Sequence, residues 1–395
     1  MQRRADVPRL GSLGPSARAV VRTLLLAGPL SRAELARRLE RSPASLTKIT
    51  QPLLAAGLIS EDTAPAAESP GRPGAPLALR AARHRFLGVK VTSDEVYAVR
   101  TDATGRVEAS RHRPLADVEQ STVVRQIVEL VKELAGQHEI EALGIGLAGQ
   151  MSRFDDTVRA NPFLGWDQVP LAGVLEEATG IPTVLSEDAR ALTAGVQWSG
   201  PGRGMSDLAV LTVGVGVGLG IVLDDRVLAG PTGRVGRIGH VRVSDSGPLC
   251  GHGHRGCASA FLTTAAITQA VGVPHGRSDV DLETAIALAD EGDPVALRVF
   301  HDAGHALGVL VAQLVNILGL PAVILAGDGL GMLAHARTAM DAAVAQHLDP
   351  NATPPTVVAF SSGFDEWARG AAVVACQWML VDPPAPAGPA RGTRT

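Results

Sequence analysis

The chain has 395 residues, of which 46% are hydrophobic, and its formal net charge is only −4. This length and apolar content predict a soluble globular protein of two or three domains. Three cysteines are too few for a secreted disulfide framework, and arginines interrupt the apolar run of residues 1–27, which argues against a signal sequence. We therefore expect a cytoplasmic protein.

The longest uncharged run, residues 306–327, is the only stretch that resembles a membrane span. It is interrupted by Gln313, Asn316 and Pro321, and it ends in the apolar segment 322–326. These interruptions favour a buried helix followed by a buried strand. We expect no membrane partner.

Charge is unevenly distributed along the chain. Residues 1–85 carry 14 lysines and arginines against 6 acidic residues, whereas residues 86–395 carry 22 against 34. A basic module ahead of an acidic body favours contact with a polyanion, although basic segments also serve solubility.

Residues 13–59 predict three short helices in a helix-turn-helix arrangement. The first covers about residues 16–27 and ends at Gly28. The second has Ser31 as N-cap and Glu34 three residues later, which is a capping box. The third starts at Ser42, with proline at its first helical position. Helices this short, joined by tight turns, are typical of a helix-turn-helix, and a protein-binding helical bundle is the alternative.

The segments 57–60, 71–76 and 77–80 predict a winged β-hairpin after the third helix, with an arginine at its tip. In a helix-turn-helix the amino-terminal half of the third helix faces the major groove, and a wing arginine can enter a minor groove. Small hydroxylated residues and a lysine suit phosphate and base-edge contacts. We expect DNA contacts from Ser31, Arg32, Ser42, Ala44, Ser45, Thr47, Lys48, Gln51 and Arg72.

From Phe86 onward, strand-like apolar runs alternate with helical ones. This alternation predicts an α/β architecture with two mixed sheets flanked by helices. The predicted strands are 87–92, 96–99, 142–148, 183–186, 208–213 and 220–223. The predicted helices are 121–135, one from 189, and others near 258–271, 282–318 and 331–347.

Several tracts together resemble the ROK family of repressors and sugar kinases. They are SRAELA at 31–36, GRP at 71–73, GRVGRIGH at 233–240 and CGHGHRGC at 250–257. The resemblance implies a winged helix-turn-helix followed by a two-lobed actin-like (ribonuclease H-like) fold that holds a sugar between its lobes. We expect a DNA-binding domain at 1–82, a first lobe at 83–200, and a second lobe with zinc knuckle and C-terminal helices at 201–395.

The resemblance also exposes departures from the family's kinases. The kinases have an Asp-x-Gly-x-Thr phosphate turn, and this chain has Lys90 at the position of its aspartate and Thr92 at that of its first glycine. In the second phosphate loop, Val215 replaces the kinases' threonine. Loss of a carboxylate, an open backbone and a hydroxyl predicts loss of phosphoryl transfer. Asp188 matches the family's catalytic base, but we expect no catalytic residue in use. Lys90 is then a salt-bridged or solvated strand residue, and Asp188 can also cap a helix.

The family's sugar contacts map onto Glu187, Asp188, Arg237, His240 and Ser259 in this chain. Arg237 and Ser259 stand where the family has glutamates. A guanidinium cannot accept a hydrogen bond, but it can clamp a carboxylate or phosphate. We therefore expect a sugar-derived or anionic effector. The alternative is that Arg237 pairs with Glu187 or Asp188 and no ligand binds.

The resemblance further implies a structural Zn²⁺ site. Its ligands would be His240, Cys250, His252 and Cys257, with an imidazole at 252 where the family has a thiolate and with His254 outside the set. Two sulfur and two nitrogen ligands complete a tetrahedron. A Cys250–Cys257 disulfide is disfavoured by the reducing cytosol. Cys376 lies in an apolar helix and is expected to be core.

These features predict a transcriptional regulator, a repressor, that binds double-stranded operator DNA as a homodimer or homotetramer. A small-molecule effector would shift the spacing of the DNA-binding heads. Two alternatives remain: a sugar kinase with a DNA-binding head, and a DNA-binding protein that responds to no ligand.

Overall fold

The computed structural model describes residues 9–61, 75–151, 156–229, 235–361 and 363–381. These residues divide into two units, one drawn from residues 1–200 and 367–395 and the other from residues 201–366. The first unit carries the N-terminal helices and one five-stranded sheet, and the second carries the other. This is the α/β class that the sequence predicts.

The first unit begins with three helices and a two-stranded hairpin, as expected for a winged helix-turn-helix. The elements are α1 (Pro15–Ala27), α2 (Arg32–Arg38), α3 (Pro43–Ala55), β1 (Ile59–Glu61) and β2 (Leu77–Leu79). Strands β1 and β2 pair antiparallel. The hydroxyl of Ser31 accepts the Glu34 N–H at 3.2 Å, and that of Ser42 accepts the Ser45 N–H at 3.3 Å. Both predicted N-caps are therefore confirmed.

The segment from residue 85 to residue 199 forms a five-stranded sheet of order β5-β4-β3-β6-β9, in which β3, β6 and β9 run parallel, a separate antiparallel pair β7-β8, and three helices. Its elements are β3 (Arg85–Val91), β4 (Glu95–Asp102), β5 (Val107–Pro114), α4 (Gln120–Ala135), β6 (Ile140–Leu147), β7 (Val158–Asn161), β8 (Trp166–Val169), α5 (Leu171–Thr179), β9 (Thr183–Glu187) and α6 (Asp188–Ser199). Every residue of β6 is buried, because this strand lies inside a sheet covered on both faces.

A buried polar contact joins the N-terminal helices to this sheet. The Glu141 carboxylate on β6 accepts the Leu10 N–H at 3.3 Å, and its other oxygen lies 2.7 Å from Nδ1 of His84. Both His84 and Glu141 are buried. The contact fixes residue 10, ahead of α1, and residue 84, just before β3, against the same strand.

The second unit holds a sheet with strand order β12-β11-β10-β13-β14. Its elements are β10 (Leu208–Val213), β11 (Val217–Leu223), β12 (Arg226–Val227), α7 (Ala258–Leu262), α8 (Thr264–Gly272), α9 (Leu282–Asp290), α10 (Pro294–Leu318), β13 (Ala322–Ala326), α11 (Leu333–His347) and β14 (Thr356–Ala359). In the described part of the chain, α10 alone is long and apolar enough to cross a membrane. It packs along α11, and β13 behind it is fully buried, so the predicted buried helix and strand are confirmed.

The last helix, α12 (Phe364–Val381), belongs from Trp367 onward to the first unit. The sequence boundary of 201–395 placed it in the second lobe, and the structure differs there. The reason is a close approach between α12 and strands β3 and β6. A Cβ at Gly144 would lie 1.9 Å from the carbonyl oxygen of Ala371, and one at Gly88 would lie 2.0 Å from that of Ala368.

Replacing Gly144 by alanine is expected to destabilise the protein by about 3 kcal/mol, the upper end of the usual cost of overpacking, because a methyl group cannot share space with a helix backbone. Urea unfolding measures this loss. The matched control is Gly173→Ala on α5, where a Cβ meets nothing within 4 Å. That control is expected to be neutral or slightly stabilising. Equal stability of the two variants would contradict the packing.

Candidate functional site

The exposed face of α3 carries most of the predicted DNA contacts. Ser42, Ala44, Thr47, Lys48 and Gln51 are exposed and Ser45 is half-buried. The apolar face is turned inward, since Leu46 and Leu53 are buried. The Thr47 hydroxyl donates to the Pro43 carbonyl at 2.9 Å. In the described part of the chain, Lys48 and Gln51 make no side-chain hydrogen bond, so both polar ends are available to a ligand.

At helix α2, the two side chains predicted to contact DNA are already engaged in contacts within the protein. The Ser31 hydroxyl serves as the cap, and Arg32 donates to the Glu61 carboxylate on β1 at 2.7 Å. Hydrogen bonds from two neighbouring arginines, Arg37 and Arg38, lower the pKa of Glu34 to about 2. Arg72, the predicted wing-tip contact, lies outside the described residues.

A buried ion pair lies at the ends of strands β3 and β9 in the first unit. Nζ of Lys90 is 2.5 Å from Oδ2 of Asp188 and 5.1 Å from the ring centre of Trp367. The Lys90 side chain is 6% exposed and that of Asp188 is 17% exposed. Of the two environments expected for Lys90, the structure therefore shows the salt-bridged one. The family's catalytic position is paired to a cation, not free to accept a proton.

Helix α6 is capped by Glu187, and the prediction that Asp188 caps it is wrong. Oε2 of Glu187 accepts the Arg190 N–H at 3.0 Å, while Asp188 is already the first helical residue. Strand β9 keeps an extended backbone through Glu187, so the helix begins one residue earlier than the apolar pattern indicates.

The two adjacent carboxyl groups have opposite electrostatic environments. Burial, and then the charge of Asp188, raises the pKa of Glu187 to about 8. Burial alone would also raise the pKa of Asp188, but the Lys90 ammonium holds it below its usual range. Burial therefore favours the protonated, hydrogen-bond-donating form of Glu187, and Lys90 favours the ionised, accepting form of Asp188.

Glu187→Gln is expected to gain stability over the parent protein as the pH rises. An unfolded glutamate titrates near 4.5 and the folded one near 8, so folding favours the protonated form. Its contribution is full below the unfolded pKa and is lost as the pH rises through the folded pKa. Melting temperatures at pH 5, 6, 7 and 8 measure the difference, with the exposed Glu176→Gln as control. A difference that does not change with pH would contradict the burial of an uncharged Glu187.

The carboxylate of Asp328 packs against the glycine turn between β10 and β11, a contact that the sequence did not predict. The Gly214 N–H donates to the Gly216 carbonyl at 3.1 Å, and Val215 at the tip is 64% exposed. Asp328, which follows β13, lies against this turn: a Cβ on Gly214 would be 1.7 Å from its Oδ1. A phosphate oxygen at the turn would meet this negative charge.

The tract around Cys250 folds into a small hairpin that gathers two thiols and two imidazoles. The Cys250 N–H donates to the His254 carbonyl at 2.9 Å, and the Gly253 N–H donates to the Cys250 carbonyl at 2.8 Å. Gly253 has φ +80°, a conformation that favours glycine. The candidate ligand atoms of His240, Cys250, His254 and Cys257 all lie within 4.8 Å of one another.

This grouping contains His254 where the sequence predicts His252. His254 belongs to the four-residue group, whereas His252 lies at the hairpin tip outside it. The family spacing points to position 252, but the hairpin pairs Cys250 with His254 across its turn. This backbone pairing brings His254 beside the two thiols.

The donor set fits a tetrahedral zinc ion. Nδ1 of His240 lies 3.7 Å from the Sγ atoms of both Cys250 and Cys257. Zinc bonds of about 2.3 Å to sulfur and about 2.1 Å to nitrogen give a sulfur–nitrogen edge of about 3.6 Å in a tetrahedron. The two distances from His240 to the thiols therefore match the edges of a zinc tetrahedron, and the other donor atoms lie within 4.8 Å.

Ser259 and Arg237, two other residues predicted to contact the effector, lie in the second unit, which also carries the thiol–imidazole group. Ser259 is half-buried, and its N–H donates to the Gly239 carbonyl at 2.7 Å, next to His240. Arg237 is exposed. The tract 237–240 and the start of α7 are thus joined by a backbone hydrogen bond, as well as by the thiol–imidazole group.

Comparison with known proteins is consistent with both parts of this architecture. The chain is 27% identical over 325 residues to the DNA-binding transcriptional dual regulator NagC of Escherichia coli. The matched residues make up 78% of this chain and 79% of NagC. It is 32% identical over 222 residues to a glucokinase of Thermotoga maritima, covering 53% of this chain and 70% of that one. The regulator therefore matches more of the chain than the kinase does.

A solved structure shows the same fold over nearly the whole chain. It is the crystal structure of a ROK family transcriptional regulator described as a homolog of the E. coli MLC protein, with TM-score 0.78 and 24% identity, covering 93% of this chain and 96% of that one. The model of the ROK family matches residues 86–377. The chain belongs to the ROK family.

Proposed function

We propose that this protein is a DNA-binding transcriptional repressor whose ROK domain senses a small molecule and no longer phosphorylates sugars. The observation that carries the proposal is the capped helix α3, which presents exposed polar side chains ahead of the ROK domain. The similarity to the regulator NagC supports the proposal, because it covers more of this chain than the similarity to the glucokinase does. The partner is double-stranded operator DNA, bound by a homodimer or homotetramer in the cytoplasm.

Recovery of bound genomic DNA, followed by footprinting on the recovered fragments, tests this function. We expect discrete protected sites with two half-sites, since a symmetric oligomer presents two heads. Binding spread evenly over the genome would contradict a sequence-specific repressor.

Loss of kinase activity rests on two features of the described residues. Asp188 is paired with Lys90, and Asp328 places a carboxylate against the glycine turn at Gly214. A general base held by an ammonium and a phosphate turn facing an anion both oppose transfer from ATP. Sustained ATP-dependent phosphorylation of any sugar would instead establish the alternative, a sugar kinase with a DNA-binding head.

The proposed effector is sugar-derived or anionic. The contacts proposed for it are Glu187 and Asp188 in the first unit, and Arg237, His240 and Ser259 in the second. In the first unit Glu187 offers a donor and Asp188 an acceptor, and in the second unit Arg237 offers an exposed guanidinium. Isothermal titration against neutral and acidic sugars tests this. Heat from glucose but from no acidic sugar would contradict an anionic effector, and unchanged DNA affinity with every compound would favour the ligand-independent alternative.

The proposed cofactor is a structural Zn²⁺ held by His240, Cys250, His254 and Cys257. Four protein donors leave no position open for a reacting water, so the ion would supply cross-linking and no chemistry. It would tie the loop after His240 to α7, which begins directly after Cys257. We also propose the DNA-binding domain at 1–82 as a functional module, followed by two ROK lobes.

A further inference from the structure

Two imidazoles stand equally close to the ring of His240. The ring centres of His240 and His252 are 4.8 Å apart with an interplanar angle of 69°, and those of His240 and His254 are 4.8 Å apart with an angle of 74°. The rings of His252 and His254 are stacked at 6.4 Å. The hairpin therefore supplies one more imidazole than a four-coordinate ion can use.

The backbone leaves room for either imidazole to approach the thiols. His252 and His254 are both exposed, whereas Cys257 is buried and fixed at the start of α7. A Cβ at Gly251 or Gly253, on either side of His252, would meet nothing within 4 Å. The ring contacts of His252 are with His240 and His254, so a rotation of its side chain is opposed by those contacts and by local rotamer energy.

We propose that His252 and His254 are interchangeable ligands of one metal ion. His240, Cys250 and Cys257 form the constant part of the site, and either of the two imidazoles completes the tetrahedron. In the exchange, the metal–nitrogen bond to one neutral imidazole breaks while an equivalent bond to the other forms. Charge and ligand number are unchanged, so the two bound forms are close in free energy.

This inference rests on the zinc site proposed above and goes beyond it in one respect. A site with a single fourth ligand loses much of its affinity when that ligand is removed. A site with a spare imidazole keeps a complete set of four donors after either histidine is lost.

The test compares Zn²⁺ affinity of the full-length protein with those of His252→Ala, His254→Ala and the double variant, by competition with a chromophoric chelator. We expect each single variant to bind within about tenfold of the parent. We expect the double variant to lose about a hundredfold or more, the scale of one ligand out of four in a structural zinc site. His301→Ala, at an exposed histidine on α10, is the matched control.

Cobalt substitution supplies a second readout, the geometry and ligand set of the bound metal. Both single variants should keep the absorption bands of the parent's four-coordinate Co²⁺–thiolate centre, whereas in the double variant, where water takes the fourth position, the bands should shift and need a higher Co²⁺ concentration. Circular dichroism confirms that each variant remains folded. If His254→Ala alone, or His252→Ala alone, is as weak as the double variant, the exchange is wrong and one imidazole is the sole ligand. Equal affinity of all four proteins also contradicts it, and failure of the parent to bind Zn²⁺ removes the site itself.

Discussion

Lys48→Glu is expected to weaken binding to the recovered operator fragments by about ten- to hundredfold at moderate salt, because it replaces a phosphate-seeking cation by an anion. Lys48 is exposed on α3 and, in the described part of the chain, makes no ion pair. Fluorescence anisotropy at several salt concentrations measures the loss. If Lys48 contacts a phosphate, the slope of log affinity against log salt should fall by about one for each head bound.

The chain offers a matched control for this charge reversal. It has only three lysines, and Lys132 is exposed on α4, in the ROK domain. Lys132→Glu changes the net charge equally without altering α3. Equal weakening by both variants would show a general effect of charge and would contradict a DNA-binding role for α3.

Lys90→Met is expected to destabilise the first unit by about 3 kcal/mol, the scale of removing one partner from a buried ion pair. The substitution leaves the Asp188 carboxylate 17% exposed, without the ammonium that lies 2.5 Å from it. The double variant Lys90→Met with Asp188→Asn removes both charges and should recover most of the loss. Urea unfolding of the four proteins gives the coupling energy. Additive losses would contradict a direct interaction.

The same cycle has a defined pH dependence. The pKa of Asp188 is held below its ordinary 3.8, so the pair stabilises the fold above that value. Its contribution is lost as the pH falls through the lower, folded pKa. Without Lys90, burial still disfavours the ionised form of Asp188, while the hydrogen bonds from Glu187 and the Ala189 N–H favour it, so the folded pKa is higher than in the parent. The gap between the parent and Lys90→Met should therefore widen as the pH rises from the folded pKa of Asp188 in the parent towards its folded pKa in the variant.

Local signals were sufficient for most secondary structure. The capping box of α2 and the first-position proline of α3 act within one helical turn, so these starts were predicted to the residue. Apolar runs likewise predicted the buried strands β6, β10 and β13. Strand β5 escaped prediction because, at the edge of its sheet, it is polar and mostly exposed and lacks the apolar alternation.

The residues of the candidate sites could be named from sequence, but their partners could not. The motif comparison identified Lys90, Asp188 and the Cys250 tract. It did not predict that Lys90 pairs with Asp188, 98 residues later, or that Asp328 reaches the turn at Gly214. Contacts between residues far apart in sequence depend on strand order and helix packing, which no local pattern encodes.

The sequence by itself determined the family, the α/β class, the winged helix-turn-helix and the residue types available for metal binding. Tertiary structure alone showed that two imidazoles lie beside His240, which unit receives the last helix, and which cation neutralises Asp188. The physical reason is the same in each case. Hydrogen bonds within a turn are set by neighbouring residues, whereas hairpin pairing, close packing at glycine and buried ion pairs exist only after distant segments have met.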